Sequence, residues 1–589
     1  MNNQEIAKIF YEIASYLEID RVPFKPYAYQ RAAMGLEGLE EDAREIYDRG
    51  GLKELEKIPG VGKNIALKIE EYLKTGKIGT YERLKKRNPF NLGELTAVEG
   101  LGVRKSKILY QQLKIKNIKD LEKAAKVHKV ASLEGFGEKT EKNILQSIAF
   151  LKRSKGRFLL GEIVPIVENI IEKLKTFKEV EKISVAGSVR RMKETIGDVD
   201  ILVVSKKPEK VMAFFVSLDG VEKVWSQGST KSSVRMKEGL DMDLRVVPDK
   251  SYGSALQYFT GSKEHNIATR RIAISKNLKL NEYGVFKGLK MIAGKNEEEV
   301  YKAIGLKAME PELRENGGEL EAALRSAQGK LPGLPKIIGY NDIKGDLHCH
   351  SNWDGGANSI KEIARAAEKM DYQYIGISDH TKFLRIESGL DENQLAQQRK
   401  EIDKLNKELR IKNYAMPASR QELRILQGCE ANILNDGSID IKDEVLAKLD
   451  FVIAGVHSSM KMDKDKMTER IIKAMKNPNV DIISHPTGRI LKRRDEYQAD
   501  FDKILRAAKE TNTILEINSS PCRLDLKDIN IKKAKNLEVK MVINTDAHQI
   551  DQLGLIKYGI SQARRGWAEK KDIINTQSLS KLLQYFSQK

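Results

Sequence analysis

Cysteine is scarce. The 589 residues hold three, Cys349, Cys429 and Cys522, and no C-x-x-C pair. A small, odd count excludes a disulfide framework and a cysteine-built zinc site, and it suits a reducing cytoplasm. Long apolar runs are also missing. No stretch approaches the roughly 20 residues of a membrane span. The first residues, M-N-N-Q-E-I-A, lack the basic and then apolar segments of an export signal. A cytoplasmic chain with no membrane partner is expected. Acidic residues are outnumbered, 84 against 103 Lys and Arg, for a net charge of +19. Residues 51–155 carry 24 basic and 12 acidic side chains. A local basic excess suits nucleic acid, although a lysine-rich solvated surface has the same count. At ~150 residues per domain, the length accommodates about four domains.

The most informative stretch is A-G-S-V-R-R-M-K-E-T-I-G-D-V-D-I-L-V-V, residues 186–204. Its end reads as a strand, where residues two apart share a face, so Asp198 and Asp200 aim two carboxylates at one point. Like charges that close need a cation, and Mg²⁺ takes a few carboxylates plus phosphate oxygens. Asp241 and Asp243, in G-L-D-M-D-L-R-V-V, share a face in the same way. Three aspartates from two neighbouring strands suit two metals clamping an in-line phosphoryl transfer. Gly187 and Ser188 sit where a tight turn offers a backbone N–H and a hydroxyl to phosphate, and Arg191 is placed to neutralise it. A D-x-D alone is usually a solvated edge; the Gly-Ser ahead and the second D-x-D separate this one from that class.

Upstream, an apolar-x-Gly-x-Gly turn opening a lysine-bearing helix occurs three times: at Gly60 and Gly62 with Lys63, at Gly100 and Gly102 with Lys105, and at Gly135 and Gly137 with Lys139. This is the helix-hairpin-helix pattern. Its glycines let backbone approach a phosphate, and the next helix presents its N-terminus to it. Three copies point to sequence-independent binding of DNA backbone, against a reading as three ordinary helix turns.

The motifs G-S-V-R-R, G-D-V-D-I-L, M-D-L-R-V-V, Y-F-T-G-S and N-E-Y, in that order, resemble those of the family X DNA polymerases, of the DNA polymerase beta type, over residues 1 to about 320. The resemblance implies a nucleotidyltransferase palm that extends a 3′-OH with a deoxynucleotide. Asp198, Asp200 and Asp243 would be its catalytic, metal-binding aspartates, using Mg²⁺ or Mn²⁺. Gly187, Ser188, Arg191 and Gly197 would hold the triphosphate. Tyr258, Phe259 and Gly261 would form the turn under the sugar, with Asn266 and Arg270 contacting minor groove and template. Lys68 falls at the family's Schiff-base lysine, and Lys25, Tyr29 and Lys63 would line a 5′-phosphate pocket. Asn64, Phe24 and Lys263 depart from the family, replacing a second pocket lysine, a histidine and an acidic residue.

Six of the eight histidines follow residue 344, each after an apolar run: His348, His350, His380, His457, His485 and His548. The runs G-C-E and T-D-A-H add Glu430 and Asp546. Seven strand–loop–helix units suggest a closed parallel barrel with polar residues at the strands' C-terminal ends. Nitrogen and carboxylate donors suit Zn²⁺, Mn²⁺ or Fe, two or three ions in all, able to activate water and clamp a phosphoryl group. H-C-H, D-H, G-C-E, V-H, S-H-P and T-D-A-H, in order, resemble the PHP (polymerase and histidinol phosphatase) domain over residues 342–589. Trp353 is followed by Asp354 and Gly355, so the family's acidic ligand is shifted by one, to Asp354. Arg489 would bind substrate phosphate.

The expected architecture is a multidomain α/β chain. It comprises an N-terminal helical 5′-phosphate or lyase-like domain (1–85), a helix-hairpin-helix fingers domain (86–155), a mixed-sheet palm (156–250), a thumb (251–326), a linker (327–341) and a C-terminal (β/α)7 PHP barrel (342–589). The expected function is gap filling in base excision repair, with a 3′–5′ exonuclease in the barrel and processing of abasic sites or 3′ ends. The expected partners are gapped or nicked DNA with a 5′-phosphate, and dNTPs, bound by a monomer. The alternatives are a polymerase with a purely structural barrel, a gap-binding scaffold without activity, and a PHP phosphatase targeted by its N-terminal half.

Overall fold

The fold is that of a computed structural model, which describes Asn2 to Ser587 apart from residues 20–21, 23–24, 38–40, 59, 97, 99–100, 154–156, 385–387, 414–422 and 493. The chain forms two compact units, Met1–Gly156 and Arg157–Lys589.

The first unit is helical. Asn2–Ile19 buries Ile6, Phe10 and Ile13 at helical spacing against Ala32, Ala33 and Leu36 of Lys25–Glu37. The first two glycine turns lead into Lys63–Thr75 and Val103–Leu113, with Gly62 and Gly102 as extended N-caps. The third copy differs. Its helix, Gly137–Arg153, begins at the second glycine, which has φ +60°. Glu141, buried in that helix, accepts from the N–H groups of Val130 (2.9 Å) and Ala131 (2.8 Å) and lies 2.8 Å from His128 Nδ1. A buried acid thus ties the segment just ahead of the third glycine turn onto the helix that follows it.

The second unit begins with a five-stranded sheet in the order Lys182–Val185, Asp198–Val204, Asp241–Val246, Lys231–Met236, Val221–Gln227. Alternation sets its two faces. Val199, Ile201 and Val203 pack with Met242, Leu244 and the helices Leu160–Lys175 and Pro208–Val216. Leu202, on the aspartates' side, meets Ala255 and Leu256 of the helix Tyr252–Thr260. The helix Lys263–Ser275 and a three-stranded antiparallel sheet between Lys279 and Ala293 follow.

Seven parallel strands then close a barrel: Gly345–Asp346, Tyr374–Ile377, Arg424–Gln427 continued by Glu430–Asn432, Ile453–Gly455, Ile482–Ile483, Ile514–Asn518 and Met541–Asn544. Closure comes from the parallel bridge Cys349–Ala547. One apolar side chain per strand, Leu347 to Val542, fills its N-terminal end, with Leu579, Tyr585 and Phe586 packed against them. The stretch expected as a linker, 327–341, is in part bound to the barrel. Ile338 is fully buried; its N–H donates to Ala568 O (2.9 Å), and its carbonyl accepts from Arg564 Nη1 (2.7 Å). Glycine and proline content marks a break in periodicity and says nothing of docking.

Candidate active sites

In the palm, parallel pairing sets Asp198 opposite Asp241 and Asp200 opposite Asp243. Asp198, Asp200 and Asp243 gather on one face. Asp243 accepts from Ser233 Oγ (2.6 Å) and lies 2.8 Å from Lys231 Nζ. Burial, then Asp198 and Asp243, push the Asp200 carboxyl up to about 6, so this group strains against its own charge. Asp241 is drawn aside by Arg235 and by Trp225 Nε1 (2.9 Å). Three carboxylates with few cations among them fit a divalent ion.

Gly187 has φ +62°, and a Cβ there would lie 3.0 Å from Asp200 Oδ2; glycine is needed for both reasons. Ser188 Oγ is buried with no hydrogen-bond partner among the described residues, which suits a donor waiting for phosphate. Gly197 is exposed just ahead of Asp198. Arg191 is already engaged: Nε donates to Glu315 Oε1 (2.9 Å) and Nη1 to the carbonyls of Thr260 and Gly261. Tyr258 and Phe259 meet edge to face at 5.1 Å. Asn266, expected at the minor groove, spends both polar atoms internally, on Tyr258 O and Gln257 Nε2, and so holds the turn. A Cβ on Gly261 would strike Asn266 Oδ1 at 2.4 Å. Arg270 is exposed, over the Tyr258 ring. Arg190, not singled out in the sequence, grips Glu297 through two bonds (2.9 and 2.7 Å).

In the helical unit, Lys25 and Lys63 are exposed. Lys68 donates to Thr80 Oγ1 at 2.8 Å. Tyr29, expected in a phosphate pocket, is 7% exposed and packs edge-on against Phe10, and burial pushes its hydroxyl up to about 12. Its ring was misread because an aromatic on an amphipathic helix serves core and pocket equally well. Gly62 and Gly102 have nothing within 4 Å of an added Cβ, which leaves room for an approaching backbone. Lys105 lies over Phe136. Gly135 has φ +80°. Gly100, Phe24 and the side chain of Lys139 lie outside the described residues.

At the barrel's C-terminal end the histidines converge. Glu430 is the hub. Its Oε1 lies 3.0 Å from His485 Nε2 and 3.2 Å from His457 Nε2; its Oε2 lies 3.0 Å from His380 Nδ1 and 3.3 Å from His348 Nε2. Asp546 Oδ1 is 3.3 Å from His350 Nε2 and 3.8 Å from His548 Nδ1. Overlapping sets (His350, His380 and His548; His348, His350 and Glu430; His380, Glu430 and His457) each bring three donor atoms together. The outer nitrogens are fixed: His348 Nδ1 by Glu516 (2.6 Å), His350 Nδ1 by Asp354 (2.8 Å), His457 Nδ1 by Asn432 (2.7 Å). The inner atoms His348 Nε2, His350 Nε2 and His380 Nδ1 are buried without a hydrogen-bond partner. Ring nitrogens facing carboxylate oxygens in a buried site call for cations between them, so the residues fit metal ions. His485 (φ 29°) and Asp546 (φ 57°) sit in the left-handed region, local strain of the kind that marks functional sites.

Asp354, expected as a ligand, lies 2.8 Å from His350 Nδ1 and accepts from the His380 N–H (2.8 Å), and with His350 and Asp379 it forms a further set of three donors close enough to hold an ion. Glu516 was missed. The available signal was an acid inside a wholly buried strand, Ile514–Asn518. Arg489, expected to bind phosphate, instead grips Glu194 of the palm (2.7 Å) and the carbonyl of Leu524.

Comparison with known proteins covers the same regions. Family models match a helix-hairpin-helix domain at residues 1–78, a SAM-like helix-hairpin-helix tandem at 92–149, the DNA polymerase beta thumb at 255–315 and the PHP domain at 346–520. The DNA polymerase/3′-5′ exonuclease PolX of Bacillus subtilis is 38% identical over 584 residues, 98% of this chain and 98% of its own length. Probable phosphatases of Thermoanaerobacter sp. and Caldanaerobacter subterraneus are each 31% identical over 255 residues, 41% of this chain and 94% and 91% of their own lengths.

Proposed function

The chain belongs to the family X DNA polymerases that carry a PHP domain, and from that premise we propose that it fills short gaps in DNA during base excision repair and trims 3′ ends in its barrel. The observation that carries the reading is the presence, in one chain, of two separate metal-type sites. One is three aspartates on paired strands behind a buried, unpartnered serine hydroxyl; the other is a histidine–carboxylate cluster whose inner nitrogens lack partners.

Asp198, Asp200 and Asp243 would hold Mg²⁺ or Mn²⁺, which neutralises the triphosphate and activates the primer 3′-OH. Asp243 is placed to take the hydroxyl proton. Ser188, Gly187 and Arg191 bind the triphosphate. Tyr258, Phe259 and Gly261 floor the sugar. Gly62 and Gly102 open the backbone to DNA phosphates, and exposed Lys25 and Lys63 supply charge for a 5′-phosphate. In the barrel, the six histidines with Glu430 and Asp546 would hold two or three ions of Zn²⁺, Mn²⁺ or Fe, which supply an activated water for phosphodiester hydrolysis. Glu516 and Asp354 fix the tautomers of His348 and His350, so that lone pairs face inward. The protein is expected to act in the cytoplasm as a monomer.

The test uses a 5′-labelled primer in a one-nucleotide gap bearing a 5′-phosphate, with Mn²⁺, with and without dNTPs. Asp198→Ala/Asp200→Ala should lose extension alone, and His348→Ala should lose shortening alone. Shortening that survives His348→Ala would make the barrel structural. The phosphatase relatives favour one rival: release of phosphate from a 3′-phosphate end, with no shortening of a 3′-OH end, would turn the barrel from nuclease to phosphatase.

A further inference from the structure

The last turn of the barrel helix Ile556–Arg565 ends in two consecutive arginines, Arg564 and Arg565. Both reach the segment that follows the thumb sheet. Arg564 Nε donates to Glu312 Oε1 at 2.6 Å. Arg565 does more than join two domains. Its Nη1 donates both to Glu315 Oε1 and to the main-chain carbonyl of Arg191, each at 3.0 Å, and its Nη2 is anchored on Asp528. Glu315 Oε1 is also the acceptor of Arg191 Nε (2.9 Å). Burial works against the charge of Glu315, but Arg191, Arg565 and Lys193 outweigh it and hold its carboxyl below the usual range.

The contacts form one chain. Asp528 orients Arg565, Arg565 orients Glu315, and Glu315 orients Arg191, whose Nη1 meets the Thr260 and Gly261 carbonyls of the sugar-floor turn. Arg191 Nη2 carries no hydrogen bond to any described residue. The Arg565 side chain is 2% exposed and that of Glu315 26%, so the barrel arginine is the more enclosed member of the pair. A flexible guanidinium is ordered only when something rigid orders it.

We propose that Arg565 of the barrel is a positioning residue of the polymerase's nucleotide site, holding Arg191 through Glu315 for the incoming triphosphate. The proposal rests on reading Arg191 as a triphosphate ligand. It makes the barrel part of the polymerase reaction as well as the seat of a second one.

The test is single-nucleotide incorporation on gapped DNA with the full chain, separating KM for dNTP from kcat. Arg565→Met should raise KM(dNTP) roughly tenfold, the loss of one oriented charged contact, with kcat changed less than about threefold. Arg565→Lys, which keeps the charge but cannot serve all three acceptors at once, should recover part of it. Arg564→Met, a neighbour with equal claim to domain glue, should leave KM(dNTP) within about twofold. Arg191→Ala should raise KM(dNTP) at least as much as Arg565→Met, and the double variant no further. If Arg191→Ala leaves KM(dNTP) unchanged, the reading of Arg191 fails and the proposal with it. If Arg191→Ala raises it and Arg565→Met does not, or if the two effects add, the relay alone is overturned. Should Arg565→Met fail to fold, Asp528→Asn removes the outer anchor. A KM(dNTP) unchanged in that variant overturns the relay, and a rise of about two- to threefold supports it.

Discussion

Asp200 shows how a site stores an unfavourable charge. Its carboxyl is pushed up to about 6 by burial and by Asp198 and Asp243. The fold therefore binds a proton that the unfolded chain has released, and the sign follows. Without metal, stability falls as pH rises from about 4 through about 6 and stays lower above it. Asp200→Asn removes the penalty. In EDTA at pH 8 the variant should be more stable than the parent by about 1–3 kcal/mol, with the gap closing at pH 4. Mg²⁺ should stabilise the parent and not the variant. Thermal melts at the two pH values check this. The barrel histidines were legible one by one, since each ends an apolar strand. Glu516 was not, because its partner His348 is distant in sequence and an acid within a buried strand carries no local pattern.

The glycine turns show how one motif hides two jobs. Gly60 has φ +83°, and a Cβ there would approach Arg31 O to 2.7 Å, so this glycine serves packing against the helix Lys25–Glu37. Gly62 has φ −96°, which any residue adopts, and open space around it. Gly60→Ala should destabilise the helical unit by about 2 kcal/mol or more. Gly62→Ala should cost the helical unit only about 0.5–1 kcal/mol, the loss of a glycine N-cap, yet weaken duplex binding several-fold, because the added methyl stands where a phosphate approaches. Anisotropy at fixed salt, paired with thermal melts, separates the two. Equal loss of stability in both variants would remove the case for phosphate approach at Gly62. The repeat itself was readable from spacing. That the third helix begins at its second glycine, with φ +60°, was not, because motif spacing records neither φ nor the caps.

At the scale of the molecule, palm and barrel share a core. Leu524 and Tyr558 of the barrel are buried with Leu160, Ile163 and Ile196 of the palm. Beside them Arg489, four residues after His485 of the histidine cluster, pairs with Glu194, four residues before Asp198. Glu194 also accepts from Gln562 Nε2 at 2.8 Å. Arg489→Ala should lower stability by about 2–4 kcal/mol, as a mostly buried pair losing one partner, and both activities should be heat-inactivated together. Their rates at 25 °C should be close to those of the parent. A selective loss of shortening with unchanged melting would restore Arg489 to the substrate phosphate.

Local pattern was enough to put the aspartates on one strand face and the histidines at strand ends, because strand alternation and strand ends are properties of a few consecutive residues. It could not reveal that Arg191 rests on Glu315 and Arg565, that Arg489 serves the palm, or that half of the expected linker is pinned to the barrel. Those pairings join residues 124 to 374 positions apart, and no local periodicity encodes which surfaces of palm and barrel meet. Tertiary packing chose the partners, and with them which arginines remain available to a substrate.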